Sequence, residues 1–288
     1  MACHFRQAAF LIPLSLFGAD SQTAMPQNPS PMVDHTRAHP RLDQKSPPGR
    51  REKLTLGTLF LPAHLRLKSP VPLLIFFHGP AFVPEAAAAR HGRTAAISIH
   101  IGAGSGVYVE AFRNPELFGK LLREAETAAG VEFGPITLAG WSAGCGAIRQ
   151  IMSNPEYYSQ ISNAIMIDGI HTGYAGGKPG PLESSLEPEN LRLFIQLARD
   201  AMAGKKRVIV THSEIFPGTF ASTTETADYI LKDLGLKRRP IVRWGPKKTQ
   251  ELSEVRAGHF LLVGFAGNSA PDHVDQLHSL PEFLEWLK

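Results

Sequence analysis

The chain has 288 residues, of which 43% are hydrophobic and 19% charged, and its 30 Lys and Arg against 26 Asp and Glu leave a formal net charge of +4. That content supports one substantial core, which at this length suits a single α/β domain and excludes long disordered charged tracts. The basic runs Arg50-Arg51, Lys205-Lys206-Arg207, Lys237-Arg238-Arg239 and Lys247-Lys248 have no interleaved aromatics, read as solvated element ends, and argue against a nucleic-acid partner.

The N-terminus has the pattern of a signal peptide. His4 and Arg6 precede an apolar run from Ala8 to Ala19, which has the length of an h-region and is too short to span a bilayer. Residues 1–24 are therefore expected to be removed on export to the periplasm or medium, with Ala19 and Ala24 as the candidate cleavage positions. No later segment approaches a membrane-spanning length. With Cys3 removed, Cys145 stands alone and no intrachain disulfide is available. Residues 25–51, rich in Pro, Ser, Gln and Asn, read as a flexible linker, and 52–288 as the folded domain.

From there strands and helices alternate. Leu54 to Leu61 alternates as a strand does and stops at Pro62. Val71 to Phe77 is a continuous apolar run ending in His78-Gly79, as expected of a strand buried on both faces. Thr94 to Ile101 is a third strand, and a helix is expected from Asn114 to Ala129. The strand Pro135–Ala139 leads to a helix over Ala143–Met152. Then come the strand Ala164–Asp168, a helix over Glu189–Ala203, the strand Arg207–Thr211 and a helix over Thr223–Leu234. The strands Ile241–Trp244 and His259–Phe265 follow, and a helix over Pro271–Leu287 closes the chain. The alternation predicts an α/β fold with a mostly parallel central sheet and helices on both faces.

Gly140-Trp-Ser-Ala-Gly144 matches G-x-S-x-G between a buried strand and a helix. A serine on so tight a turn needs small neighbours, and the Gly, Ala and Cys residues after Ser142 meet that need. On these residues the sequence resembles the α/β-hydrolase family over roughly Glu52 to Lys288. The resemblance implies that Ser142 attacks an acyl carbon, a histidine takes its proton and an acid orients the histidine, in the chain order serine, acid, histidine.

Two acids and two histidines compete. Asp168 ends a buried apolar strand at the functional edge of the sheet and is favoured over Glu214, which lies just past the next strand. His273 stands after the last strand at the start of the final helix. It is favoured over His259, whose Gly-His-Phe setting resembles the family but is followed by a strand. The Ala143 N–H is the first expected oxyanion donor. The second is expected from Gly79 or Ala81, since Pro80 between them has no N–H to offer. Trp141 and Tyr174 are expected to supply substrate contact. Cys145 reads as a packing residue inside its helix. His273 and His278 fall on different helix faces and no metal-binding spacing appears, so neither metal nor cofactor is expected.

The stretch between Asp168 and Arg207 is too short for a large lid domain, which points to an open site for a small or polymeric ester. The same frame also carries peptidases, acyltransferases and non-catalytic binding proteins, and fold alone does not choose among them.

Overall fold

The structure, a computed structural model, describes residues 38–288 apart from positions 69, 181 and 182. The expected signal peptide and the first part of the linker lie outside the described residues. The strands are β1 Gly49–Lys53, β2 Thr58–Pro62, β3 Val71–Phe77, β4 Ala95–Ile99, β5 Phe133–Trp141, β6 Ile161–Ile167, β7 Arg207–His212, β8 Arg239–Trp244, β9 Gln250–Ala257 and β10 Phe260–Phe265. The α-helices among the described residues are α1 Phe82–His91, α2 Ser105–Ala111, α3 Pro115–Ala129, α4 Cys145–Met152, α5 Pro155–Gln160, α6 Arg192–Met202, α7 Thr223–Leu234, α8 Ala270–His278 and α9 Leu280–Glu285.

All the strands join one sheet in the order β1-β2-β4-β3-β5-β6-β7-β10-β9-β8. The run from β4 to β10 is parallel throughout, and both flanks are antiparallel. Successive side chains of a strand point to opposite faces, so the apolar runs feed two core layers. Ile75, Phe77, Leu138 and Met166 pack with Tyr108, Phe118, Ile148, Leu197 and Ile230 of α2, α3, α4, α6 and α7. Leu74, Phe76, Ile165 and Val263 pack on the other face with Val83 of α1, Leu277 of α8 and Phe283 of α9. Burial on both faces is why these strands read as unbroken apolar runs.

Several expected boundaries move. The alternating run Leu54–Leu61 is not one strand. Leu54 N donates to Gly57 O at 3.1 Å and Gly57 takes φ +85°, so the chain turns there and pairs β1 with β2 as a hairpin. The expected domain start at Glu52 falls inside β1. Strand pairing begins at Gly49, and Arg51 holds the buried Glu85 of α1 through bonds of 2.9 and 2.7 Å. Earlier still, His39 and Arg41 both bind Asp275 of α8. The single closing helix is two, because α8 ends at His278 and α9 starts afresh after Ser279 with Pro281 in its first turn.

Between Asp168 and Arg207 the described residues hold only α6 and an isolated bridge between Tyr174 and Leu186. Among the described residues no helix is long and apolar enough to cross a membrane.

Candidate active site

Ser142 is the first residue after β5 and takes φ +50°, a left-handed conformation that side-chain-bearing residues adopt at a cost of about 1–3 kcal/mol. Small neighbours make this turn possible. A Cβ on Gly140 would lie 2.7 Å from the Gly144 carbonyl carbon, and one on Gly144 would lie 2.1 Å from the Phe77 carbonyl oxygen. A Cβ on Gly169 would lie 2.3 Å from the Ser142 carbonyl oxygen, so the neighbouring loop is built around the same turn. A 3-10 turn over Ser142–Gly144 then runs into α4, which places Ser142 at a helix N-terminus. Cys145 is buried in α4 beneath it, with Sγ 3.3 Å from Gly140 O, and burial pushes its thiol up, which suits a packing role.

Asp168 is likewise the first residue after its strand, with φ +44°. Its Oδ2 accepts from Nδ1 of His273 at 2.7 Å. Its Oδ1 accepts from Ser213 N at 2.9 Å and Thr223 Oγ1 at 2.5 Å. Burial pushes the carboxyl up, but the bonds from His273, Thr223 and Ser213 outweigh it and hold Asp168 well below the usual carboxylate range. With Nδ1–H committed to the carboxylate, His273 Nε2 is left with a lone pair. His273 sits in the first turn of α8, fixed by the Ser269–Asp272 capping box.

Two cavities meet at Ser142. The smaller, about 80 Å³, is lined by Ser142, Asp168, His273 and His171, with Ser213, Thr223, Ile215, Pro217 and Phe220 around them. The larger, about 430 Å³, is lined by Ser142, Ala143, Arg149, His171, Asn190 and Phe220 among others. Phe220 borders both and is 37% exposed, so the cavities open to solvent there.

The structure therefore brings Ser142, Ala143, Asp168 and His273 together and leaves other expected residues elsewhere. Glu214 is exposed and clamps a loop, accepting from Gly267 N at 3.3 Å while its own N donates to Gly267 O at 2.9 Å. His259 is exposed in the turn before β10, at the opposite end of that strand, where its N bonds Ala201 O. Tyr174 does not face substrate space. It is buried with its hydroxyl 2.9 Å from Glu225 Oε2, and lines neither cavity.

Trp141 also lines neither cavity and instead touches His273, as its indole N–H bonds the His273 carbonyl at 3.0 Å. Gly79 and Ala81 are outside both linings, whereas His78 borders the larger cavity. His78 Nδ1 lies 3.1 Å from Tyr108 Oη, and burial, followed by the charge of His100, pulls its pKa down to about 4.

Sequence reasoning missed Arg149, His171, Asn190, Phe220, Ser213 and Thr223. Only Arg149 carried a signal, being a charge on a helix that opens at the nucleophile turn. The others come from loops, or in the case of Thr223 from the first turn of α7, whose return to the site depends on the fold. One group among the described residues has metal-like composition, His39 with Asp272 and Asp275. There Asp275 holds His39 and Arg41, and Asp272 caps α8, so the group reads as a clamp on the N-terminal segment.

No protein-family model and no curated protein matches the sequence. Among solved structures, the chain is similar to an acetyl xylan esterase from Aspergillus awamori, with 12% identity and a TM-score of 0.45 over 80% of this chain and 92% of that one. It is similar to a hormone-sensitive lipase from a metagenome library, with 10% identity and a TM-score of 0.46 over 86% and 88%. A Mycobacterium tuberculosis puromycin-hydrolysing peptidase matches with 16% identity and a TM-score of 0.45, over 83% of this chain but 38% of that one. Independently of these likenesses, the chain has its own parallel core from β4 to β10, a serine on a strand-to-helix turn after β5, and an aspartate and histidine that follow in that order. By that architecture the chain is an α/β-hydrolase-fold protein.

Proposed function

We propose that the protein is a serine hydrolase that cleaves carboxylic esters through an acyl-enzyme on Ser142. The observation that carries this reading is the 2.7 Å Asp168–His273 bond bordering the same small cavity as a left-handed Ser142. His273 Nε2 takes the Ser142 proton as Oγ attacks the acyl carbon, and Asp168 stabilises the imidazolium that forms. Negative charge gathers on the carbonyl oxygen beside the Ala143 N–H and the N-terminus of α4. His273 then protonates the departing alcohol, and the same nitrogen activates the water that releases the acid. The apolar run Ala8–Ala19 supports export as the setting for this activity, and appearance of the processed chain outside the cytoplasm tests it.

The test is hydrolysis of p-nitrophenyl acetate and butyrate by the wild type and by Ser142→Ala, together with labelling by an uncharged organophosphonate. Turnover and labelling at Ser142, both lost in the variant, support the reading. Turnover that survives Ser142→Ala, or a wild type that neither turns over nor labels, overturns it.

A further inference from the structure

Arg149 lies on α4 two turns beyond Ser142, about 10 Å along the helix axis, and helical side chains lean back toward the N-terminus, here toward Ser142. It lines the 430 Å³ cavity that also holds Ser142 and Ala143. The residues lining that cavity include no carboxylate, so Arg149 gives it an uncompensated positive charge. Among the described residues the Arg149 guanidinium has no ion-pair or hydrogen-bond partner. Arg238, similarly half-buried, is paired with Asp228 at 2.7 Å. Burial lowers the Arg149 pKa and no acid opposes the shift. A half-buried cation without a partner is costly, and a bound anion relieves that cost.

The two cavities divide the substrate. The departing alcohol must receive a proton from His273, and His273 borders the small cavity but not the large one. On that reading the acyl part lies in the large cavity, which Arg149 lines together with Asn190 and Thr172.

We propose that the substrates are esters whose acyl chain ends in a carboxylate, hemi-esters of dicarboxylic acids, and that Arg149 is the residue that selects them. The inference rests on the hydrolase reading above and adds the substrate class to it. A guanidinium fork matches a carboxylate with two parallel bonds, which gives the preference a geometry as well as a charge. No new chemical step is involved. The carboxylate stays ionised throughout, and the ester bond breaks at Ser142 as before.

The experiment compares p-nitrophenyl hemi-esters of succinate, glutarate and adipate with neutral p-nitrophenyl esters of matched chain length, for wild type, Arg149→Met and Arg149→Lys. At one or more lengths the wild type should favour the anionic ester by at least about tenfold in kcat/KM, the size of one charge-assisted hydrogen bond. The ratio should collapse in Arg149→Met, chiefly through KM, and be partly kept in Arg149→Lys. Using the ratio removes any general loss of folded enzyme. A wild-type ratio at or below one for every length, or a ratio that Arg149→Met leaves unchanged, overturns the proposal.

Organophosphonate labelling of Ser142 separates this from failure of the hydrolase reading. If Ser142 neither labels nor turns over any ester, calorimetry on Ser142→Ala protein decides the anion site. Tighter binding of p-nitrophenyl glutarate than of the neutral ester, lost on adding Arg149→Met, supports it, and equal binding overturns it.

Discussion

Trp141 donates its indole N–H to the carbonyl oxygen of His273 at 3.0 Å, and the two rings lie 4.5 Å apart. The residue beside Ser142 thus grips the backbone and the ring of the histidine proposed to serve it. Behind Trp141 the rings continue, with His78 stacked on it at 5.3 Å and His100 on His78 at 5.2 Å. His78, Ser142 and Asp168 are each the first residue after neighbouring parallel strands, and each has a left-handed φ. Three turns of one kind on three adjacent strand ends gather these side chains at the carboxyl edge of the sheet, where open α/β sheets place their sites.

Removing the indole N–H while keeping a ring isolates the first contact. Trp141→Phe loses one hydrogen bond, about 1 kcal/mol, and should lower kcat for p-nitrophenyl acetate by roughly fivefold. KM should stay close to the wild-type value, because Trp141 lines neither cavity. A rise in KM with kcat intact would show that Trp141 contacts substrate rather than holding His273.

A glycine of the turn and one outside it should differ sharply in tolerance. Gly144→Ala drives a methyl group to 2.1 Å from the Phe77 carbonyl oxygen, which belongs to the backbone of a central strand and has no room to yield. The variant should lose at least about 3 kcal/mol of stability, the scale of severe core overpacking, or fail to accumulate. Gly106→Ala meets nothing within 4 Å on α2 and should be neutral or slightly stabilising by urea melt. Equal midpoints for the two variants would contradict the packing described for the turn.

Asp168→Asn keeps an oxygen for Ser213 N and Thr223 Oγ1 but turns an amide toward His273 Nδ1. The ring must then accept at Nδ1 and carry its proton on Nε2, which leaves no lone pair there to receive the Ser142 proton. A loss in kcat on the order of 10³–10⁴ is expected. The substitution also bears on acid stability. The folded state holds the Asp168 pKa below its ordinary value, so its contribution is present above the unfolded value of 3.8 and fades as pH falls toward the folded one. The stability gap between wild type and Asp168→Asn should therefore narrow as pH drops below about 4. A gap constant down to pH 2 would argue against the carboxylate being ionised in the folded protein.

The central strands and the nucleophile turn were legible because one physical cause wrote both. Burial on two faces makes β3, β5, β6 and β10 apolar runs, and the tight crossing at Ser142 demands Gly140 and Gly144. The flanks were legible only in part, at β2 and β8, and β1 and β9 escaped for an equally physical reason. In β9 the sequence Gln-Glu-Leu-Ser-Glu-Val-Arg-Ala reads as polar, yet Glu251 and Glu254 are buried, held by Arg243 at 2.6 and 2.8 Å and, for Glu254, by Arg239 at 2.6 Å. Charge pairing across an edge leaves no period-two apolar signal. At β1 the segment looked like linker because it is held by Arg51 on Glu85 rather than by apolar side chains. Choosing Asp168 over Glu214 followed from its emerging directly from its strand, but its bonds to Ser213 and Thr223 join residues 45 and 55 positions apart and left no local mark.

His212 provides a pH test that needs no substrate. It is buried at the end of β7, where Arg238 Nη1 donates to its Nε2 at 2.6 Å and its Nδ1 lies 3.2 Å from Ser213 O. A guanidinium donating to Nε2 requires the neutral ring. Burial, then the charge of Arg238, lowers the pKa from 6.5 to about 4, against the opposing pull of Asp168 and Asp228. Between those values the unfolded chain binds the proton and the folded one refuses it, so stability is full above pH 6.5 and falls as pH drops toward 4. For this residue the loss over that window is roughly 3 kcal/mol. His212→Gln keeps an acceptor for Arg238 and cannot titrate, so the stability difference between wild type and variant at pH 7.5 should shrink by about that amount at pH 4. Urea midpoints across this range measure it, and parallel curves for the two proteins would mean that His212 charges in the folded state, with Arg238 moving aside to let it.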